Sequence, residues 1–175
     1  PEVKIDKALE KPGYQQLGRI APFGGGSSSG PVASPGNYQV QLKTGKHEIT
    51  HSFEIIKDPR LKTTAEDFSA QFNLWTKIRN SVSAINSAIN KVRKINLQIT
   101  ELLSRDIFSG TDTEKALTAV RKAAELLMNN FSEVENQLTQ NQYETPSDRL
   151  RHPTMLKERM EALVSVVSVS DASPP

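Results

Sequence analysis

TAEDFSAQFNLWTKIRNSVSAINSAINKVRKINLQITELLSRDIFSGTDTEKALTAVRKAAELLMNNFSEVENQLTQ, residues Thr64 to Gln140, is the stretch that decides the fold. In its first half Trp75, Ile78, Val82, Ile85, Ile89, Val92, Asn96, Ile99 and Leu103 step by three and four in alternation. That is the seam of one long coiled-coil-like helix, interrupted only by Asn96. In its second half Leu117, Val120, Ala124, Leu127, Phe131, Val134 and Leu138 repeat the alternation without a fault. Ser104 to Thr111 lies between them as a turn, so the spacing predicts an antiparallel helical hairpin.

Folding one seam on the other sets Ile99 against Val120, Val92 against Leu127, Ile85 against Val134 and Val82 against Leu138. Thr63 with Glu66 and Thr111 with Glu114 have capping-box spacing, and Gly110 suits a left-handed helix end. The first helix would be roughly 60 Å long and the second ~43 Å, so the first overhangs at its N-terminal end. Phe68, Phe72 and Trp75 fall on that overhang. They read as core beneath neighbouring segments or, in the functional reading, as an aromatic docking patch.

Outward from the hairpin, Tyr38, Val40 and Leu42 alternate before a Thr44-Gly45-Lys46 turn, and Ile49, His51, Phe53 and Ile55 alternate after it. This is a β-hairpin, and two strands alone are marginal in water. It must pair with the N-terminal arm, pack on helices or belong to a larger sheet. Lys57-Asp58-Pro59-Arg60 ends the second strand. After Gln140 a polar loop carries Pro146 and Pro153, with Tyr143 placed to cap the seam. Leu156, Met160, Leu163 and Val167 then predict a third helix, parallel to the first and ending at about Val167.

Residues 1–36 read as an irregular arm or linker rich in Gly and Pro, 37–60 as the β-hairpin and 61–175 as a helical bundle. The fold class is mainly α. Val3, Ile5, Leu9, Tyr14, Leu17, Ile20 and Phe23 in the arm are suited to docking on the folded part, as a strand or as an arm. Gly24 to Gly30 has linker composition and lacks the Lys-Ser/Thr of a phosphate-binding loop.

The 175 residues are 36% apolar and 24% charged, with a formal charge of +2, too mild to argue for nucleic acid. There is no cysteine, so disulfides and thiolate metal sites are excluded. No stretch has the ~20 apolar residues of a membrane span. The chain opens on Pro1 rather than Met, which suggests a processed product or a piece of a longer protein. His47 and His51 lie ~13 Å apart on a strand, too far to share a metal ion. Lys77, Arg79, Lys91, Arg93 and Lys94 read as a solvated helix face, and the acidic residues fall mainly on outward faces. Paired carboxylates for glycoside hydrolysis are therefore not expected. No catalytic, cofactor or metal residue is assigned.

Pro35-Gly36-Asn37-Tyr38-Gln39-Val40-Gln41-Leu42, then Phe53-Glu54-Ile55-Ile56-Lys57-Asp58-Pro59-Arg60 and the helix start Thr64-Ala65-Glu66-Asp67-Phe68, carry a resemblance. So does Asp148-Arg149-Leu150-Arg151-His152-Pro153. Together they resemble the C-terminal region of large bacterial sortilin-like proteins, β-propellers with neuraminidase-type repeats often labelled glycosyl hydrolases. The resemblance covers about Gly30 to Pro175. It implies that the β-hairpin is part of an immunoglobulin-like sheet, and that the chain is a non-catalytic accessory module of a secreted, periplasmic or envelope protein. Its partner would be the parent propeller or another protein, and any glycan-acting site would lie outside this chain. The other reading of the seams is a coiled-coil assembly module that buries them between chains.

Overall fold

The structure, a computed structural model, describes residues 3–9, 30–104, 114–143 and 145–168. It is mainly helical: strands β1 (Gly36–Thr44) and β2 (His47–Ile55) form an antiparallel hairpin ahead of helices α1 (Ala65–Ser104), α2 (Glu114–Leu138) and α3 (Leu156–Val167). The long α1 packs α2 and α3. The expected Thr111 cap and Gly110 lie outside the described residues. The described residues fall into two compact units, one within Pro1–Gly26 and Asn80–Ala162, the other within Ser27–Arg79 and Leu163–Pro175.

In the unit that holds the β-hairpin, Tyr38 pairs with Phe53, Val40 with His51 and Leu42 with Ile49 across the two strands. All of these side chains therefore share one face, because side chains alternate along each strand. The turn is two residues long, and Gly45 takes its first position at φ +59°, a conformation that a side chain would disfavour. The other face is polar: Gln39 Nε2 donates to Ser52 Oγ at 3.5 Å, and Lys43 Nζ lies 3.3 Å from a Glu48 oxygen.

The strand ends at a locked corner. Arg60 N donates to Asp58 Oδ1 at 2.9 Å while the Arg60 guanidinium forks onto the same carboxylate, and Leu61 N closes the turn on Asp58 O. The arginine's side chain and its backbone N–H hold the Asp58 carboxyl below the usual carboxylate range. α1 then starts one residue later than the sequence spacing suggests. Thr64 N donates to Asp67 Oδ2 at 2.9 Å and Asp67 N donates to Thr64 Oγ1 at 3.2 Å, so the capping box is Thr64 with Asp67 and not Thr63 with Glu66. Thr63 is instead buried, its carbonyl accepting Lys57 Nζ at 2.8 Å.

The third helix ends at Val167, as its spacing predicts, but its course is not the expected one. Its last turn lies against the second turn of α1, with Gln71 Nε2 donating to Val167 O at 2.9 Å, where a parallel helix would have placed its first turn. The face it buries carries Lys157 and Val167, while Leu156 and Leu163 of the predicted stripe are exposed.

In the other unit the α1 seam is the one read from the sequence, with Val82, Ile85, Ile89 and Val92 buried and Ile89 fully so. The α2 seam is not. Val120, Leu127 and Val134 are 51%, 41% and 47% exposed, and the sheltered stripe is Leu117, Ala124, Met128, Phe131, Glu135 and Leu138. Both stripes share Leu117, Ala124, Phe131 and Leu138, but the flanking positions move from three residues on to four residues on. At ~100° per residue that turns the inner face by roughly 50°.

The reason is an ion pair. Arg93 Nη2 lies 2.7 Å from Glu135 Oε1, and the two side chains are 6% and 3% exposed. Arg93 also donates from Nη2 to Asn141 Oδ1 at 3.1 Å. In the facing register drawn from the seams, Val92 meets Leu127, eight residues short of Glu135. The register is thus displaced by at least one turn, about 5.4 Å. Burying either charge unpaired costs far more than exposing two valines and a leucine, so the pair sets the rotation. Arg93, which its sequence position puts on a solvated helix face, is interior, and Glu135 is too.

Beyond α2 the chain is tied back by side chains. Thr139 Oγ1 donates to Glu158 Oε1 at 2.7 Å, Gln140 N donates to the same carboxylate, and Met155 N donates to Glu158 Oε2 at 3.0 Å. One carboxylate therefore ends α2 and caps α3. Gln140 Nε2 reaches Pro153 O at 2.9 Å, and the buried Tyr143 donates to His152 O at 3.2 Å.

Candidate functional site

The aromatic docking patch proposed at Phe68, Phe72 and Trp75 does not form a surface. Phe68 and Trp75 are 8% and 7% exposed, and only Phe72, at 38%, reaches solvent. The seam phase explains this: Phe68 and Trp75 are seven apart, two turns on one stripe, whereas Phe72 sits to one side. The Phe68 carbonyl accepts Ser34 Oγ at 3.3 Å, and Ser34 O in turn accepts Tyr38 OH at 2.6 Å. The segment ahead of β1 thus closes over the start of α1.

The exposed apolar surface of that unit is the β-hairpin itself. Val40, Leu42, Ile49 and Phe53 are 53%, 62%, 65% and 44% exposed on one face, with Tyr38 and Phe53 stacked at 6.0 Å between ring centroids. A two-stranded sheet with an uncovered apolar face has no core of its own. His47 and His51 lie on β2. Among the described residues no group of three or more His, Cys, Asp or Glu side chains could hold a metal ion.

In the other unit a polar ladder runs beside the α1 seam. Val3 N donates to Ser83 Oγ at 3.2 Å and Asn86 Nδ2 donates to Val3 O at 2.9 Å. Asn90 grips the next span at both ends, donating from Nδ2 to Lys4 O and accepting Asp6 N at Oδ1, each at 2.9 Å. Arg93 Nη1 donates to Leu9 O at 2.9 Å. Ser83, Asn86, Asn90 and Arg93 each follow a buried seam residue, Val82, Ile85, Ile89 and Val92, so the ladder repeats the seam one residue on. The arm expected at Val3, Ile5 and Leu9 is therefore docked, but through its main chain. Tyr14, Leu17, Ile20 and Phe23 lie outside the described residues.

The sequence reading did not find this ladder. Its signal was visible: four polar residues of the hydrogen-bonding kind at the three-four spacing of a helix face, between an apolar seam and a charged back. No described helix is long and apolar enough to cross a membrane. No family, curated protein or solved structure compared with the chain matches it.

Proposed function

We propose that this chain is a non-catalytic docking module of a larger secreted or envelope β-propeller protein, and that the apolar face of its β-hairpin is covered by a sheet of that parent. The observation that carries the reading is the uncovered row of Val40, Leu42, Ile49 and Phe53. The resemblance of the Pro35–Leu42 strand and the Lys57–Arg60 corner to sortilin-like C-terminal regions supplies the occupant. The Asp58–Arg60 fork supports it further, because a stiff corner fixes the direction in which α1 leaves a sheet. Chemistry, if the parent performs any on glycans, belongs to the propeller, and this chain contributes attachment.

The test has two parts. The reading frame preceding Pro1 encodes β-propeller repeats, and the purified propeller added to this chain raises its melting temperature, a response that Val40→Glu with Ile49→Glu abolishes. A reading frame without propeller repeats, or a shift indifferent to the double substitution, contradicts the proposal.

A second reading, assembly of the chain with itself through helices, is favoured by one observation. Val120, Leu127 and Val134 form an exposed row at seven-residue spacing on α2, the spacing of a coiled-coil contact. Light scattering separates the two: a monomer at micromolar concentration removes assembly.

A further inference from the structure

We propose that the face of α1 formed by Ser83, Asn86, Asn90 and Arg93 is a binding surface for a peptide segment, read through the main chain, and that the segment Val3–Leu9, irregular over Val3–Asp6 and turned into a short 3-10 helix at Lys7–Leu9, is its resident occupant in cis and is exchangeable. This stands apart from the docking reading above and survives its failure.

Three observations carry it. Among the described residues the helix makes five hydrogen bonds to the arm, and these go to main-chain N–H or C=O groups of Val3, Lys4, Asp6 and Leu9. Any residue but proline supplies those groups, so the ladder recognises a main-chain course rather than one sequence. Secondly, the occupant is weakly anchored by its side chains. None of Val3 to Leu9 is buried, Ile5 and Leu9 are half-buried, and Val3 is 40% exposed.

Thirdly, the occupant leaves the surface incompletely satisfied. Asn86 is 4% exposed and its Nδ2 holds Val3 O, yet its Oδ1 is buried with no hydrogen-bond partner. Asn90, one turn on, shows what a filled rung looks like, with both carboxamide atoms engaged. A peptide that offers an N–H to Asn86 Oδ1 gains a hydrogen bond which the arm does not make. Arg93, fixed by Glu135, closes the far end of the surface without having to be ordered on binding.

The ligand class is thus an unfolded polypeptide segment that can follow the arm's main-chain course, and the arm competes with it in cis. The test uses a fluorescent synthetic peptide of sequence PEVKIDKALE and a chain lacking residues 1–9. The truncated chain is expected to bind the peptide, and the intact chain to bind it about tenfold more weakly or worse. Asn90→Ala in the truncated chain, or N-methylation of the amide corresponding to Asp6 in the peptide, should weaken binding about tenfold, whereas alanine in place of either peptide lysine should change it less than about threefold.

A folded truncated chain that does not bind the peptide, or that binds it equally after Asn90→Ala, overturns the proposal. Should truncation unfold the chain, hydrogen exchange on the intact chain decides. Val3 and Asp6 amides that exchange at least tenfold faster than the Ile89 amide support an exchangeable arm. Exchange only with global unfolding contradicts it.

Discussion

Arg93 and Glu135 show how two residues override a seam of seven. Their pairing at 2.8 Å from Arg93 Nε is buried on both sides, so removal of one partner leaves a charge without compensation. Arg93→Met is expected to destabilise the chain by about 3–5 kcal/mol in chemical denaturation, and adding Glu135→Leu should recover most of the loss. If the double variant is no better than the single one, the pair does not set the packing. Glu158 is a second node of this kind, accepting from Thr139, Gln140 and Met155. Glu158→Ala should cost about 2–4 kcal/mol, since it frees the end of α2 and the cap of α3 together.

Asp58 gives a pH signature at the same scale. Its carboxyl is held below the ordinary value by Arg60, so the charged form stabilises the folded chain above the unfolded value of 3.8, and that contribution disappears as pH falls through the lowered folded value. Because the pair is exposed, the effect is small. Asp58→Asn should therefore lower the melting temperature slightly at pH 7 and flatten the acid side of the profile, so that the two chains converge as pH falls below about 4. An unchanged acid limb would contradict the corner's geometry.

At the scale of elements, the alternation of apolar residues was sufficient for existence and type but not for rotation. The α1 seam was legible because on the side one residue on from Trp75, Ile78, Val82, Ile85, Ile89 and Val92 stand only Thr76, Arg79, Ser83, Asn86, Asn90 and Arg93, with no apolar competitor among them. On α2 two flanks compete around Leu117, Ala124, Phe131 and Leu138. Val120, Leu127 and Val134 form the more apolar flank, but Met128 and Glu135 lie on the one that is buried. Periodicity weighs side chains singly and has no means of knowing that Glu135 meets an arginine. The third helix repeats the lesson, burying Lys157 while Leu156 and Leu163 are exposed.

The rotation is testable by truncation. Ile89→Ala should cost about 2–5 kcal/mol, whereas Leu127→Ala and Val134→Ala should stay near or below 1 kcal/mol each. Equal losses at all three would restore the seam read from the sequence. The seam's one polar member gives a further check. Asn96 Oδ1 is buried without a hydrogen-bond partner, so Asn96→Leu should raise stability by about 1 kcal/mol.

For the molecule as a whole, composition and spacing announced a helical chain with a β-hairpin in front, as observed. The strands of the β-hairpin and the faces they present were legible from alternation, whereas the pairing of Tyr38 with Phe53 and of Leu42 with Ile49 follows from a turn of two residues, Gly45 and Lys46, one shorter than the Thr44-Gly45-Lys46 turn read from the sequence. The polar ladder was not legible, because it depends on a segment distant in sequence, Val3–Leu9, whereas the burial of Phe68 and Trp75 agrees with their reading as core. The central proposal is that the β-hairpin's apolar face is covered by a sheet of a parent protein. Hydrogen exchange of β1 and β2, measured on this chain alone and on a polypeptide that also carries the proposed propeller, tests it most directly. At least tenfold slower exchange across Tyr38–Leu42 and Ile49–Phe53 in the longer polypeptide is the predicted result, and identical exchange in the two would contradict it.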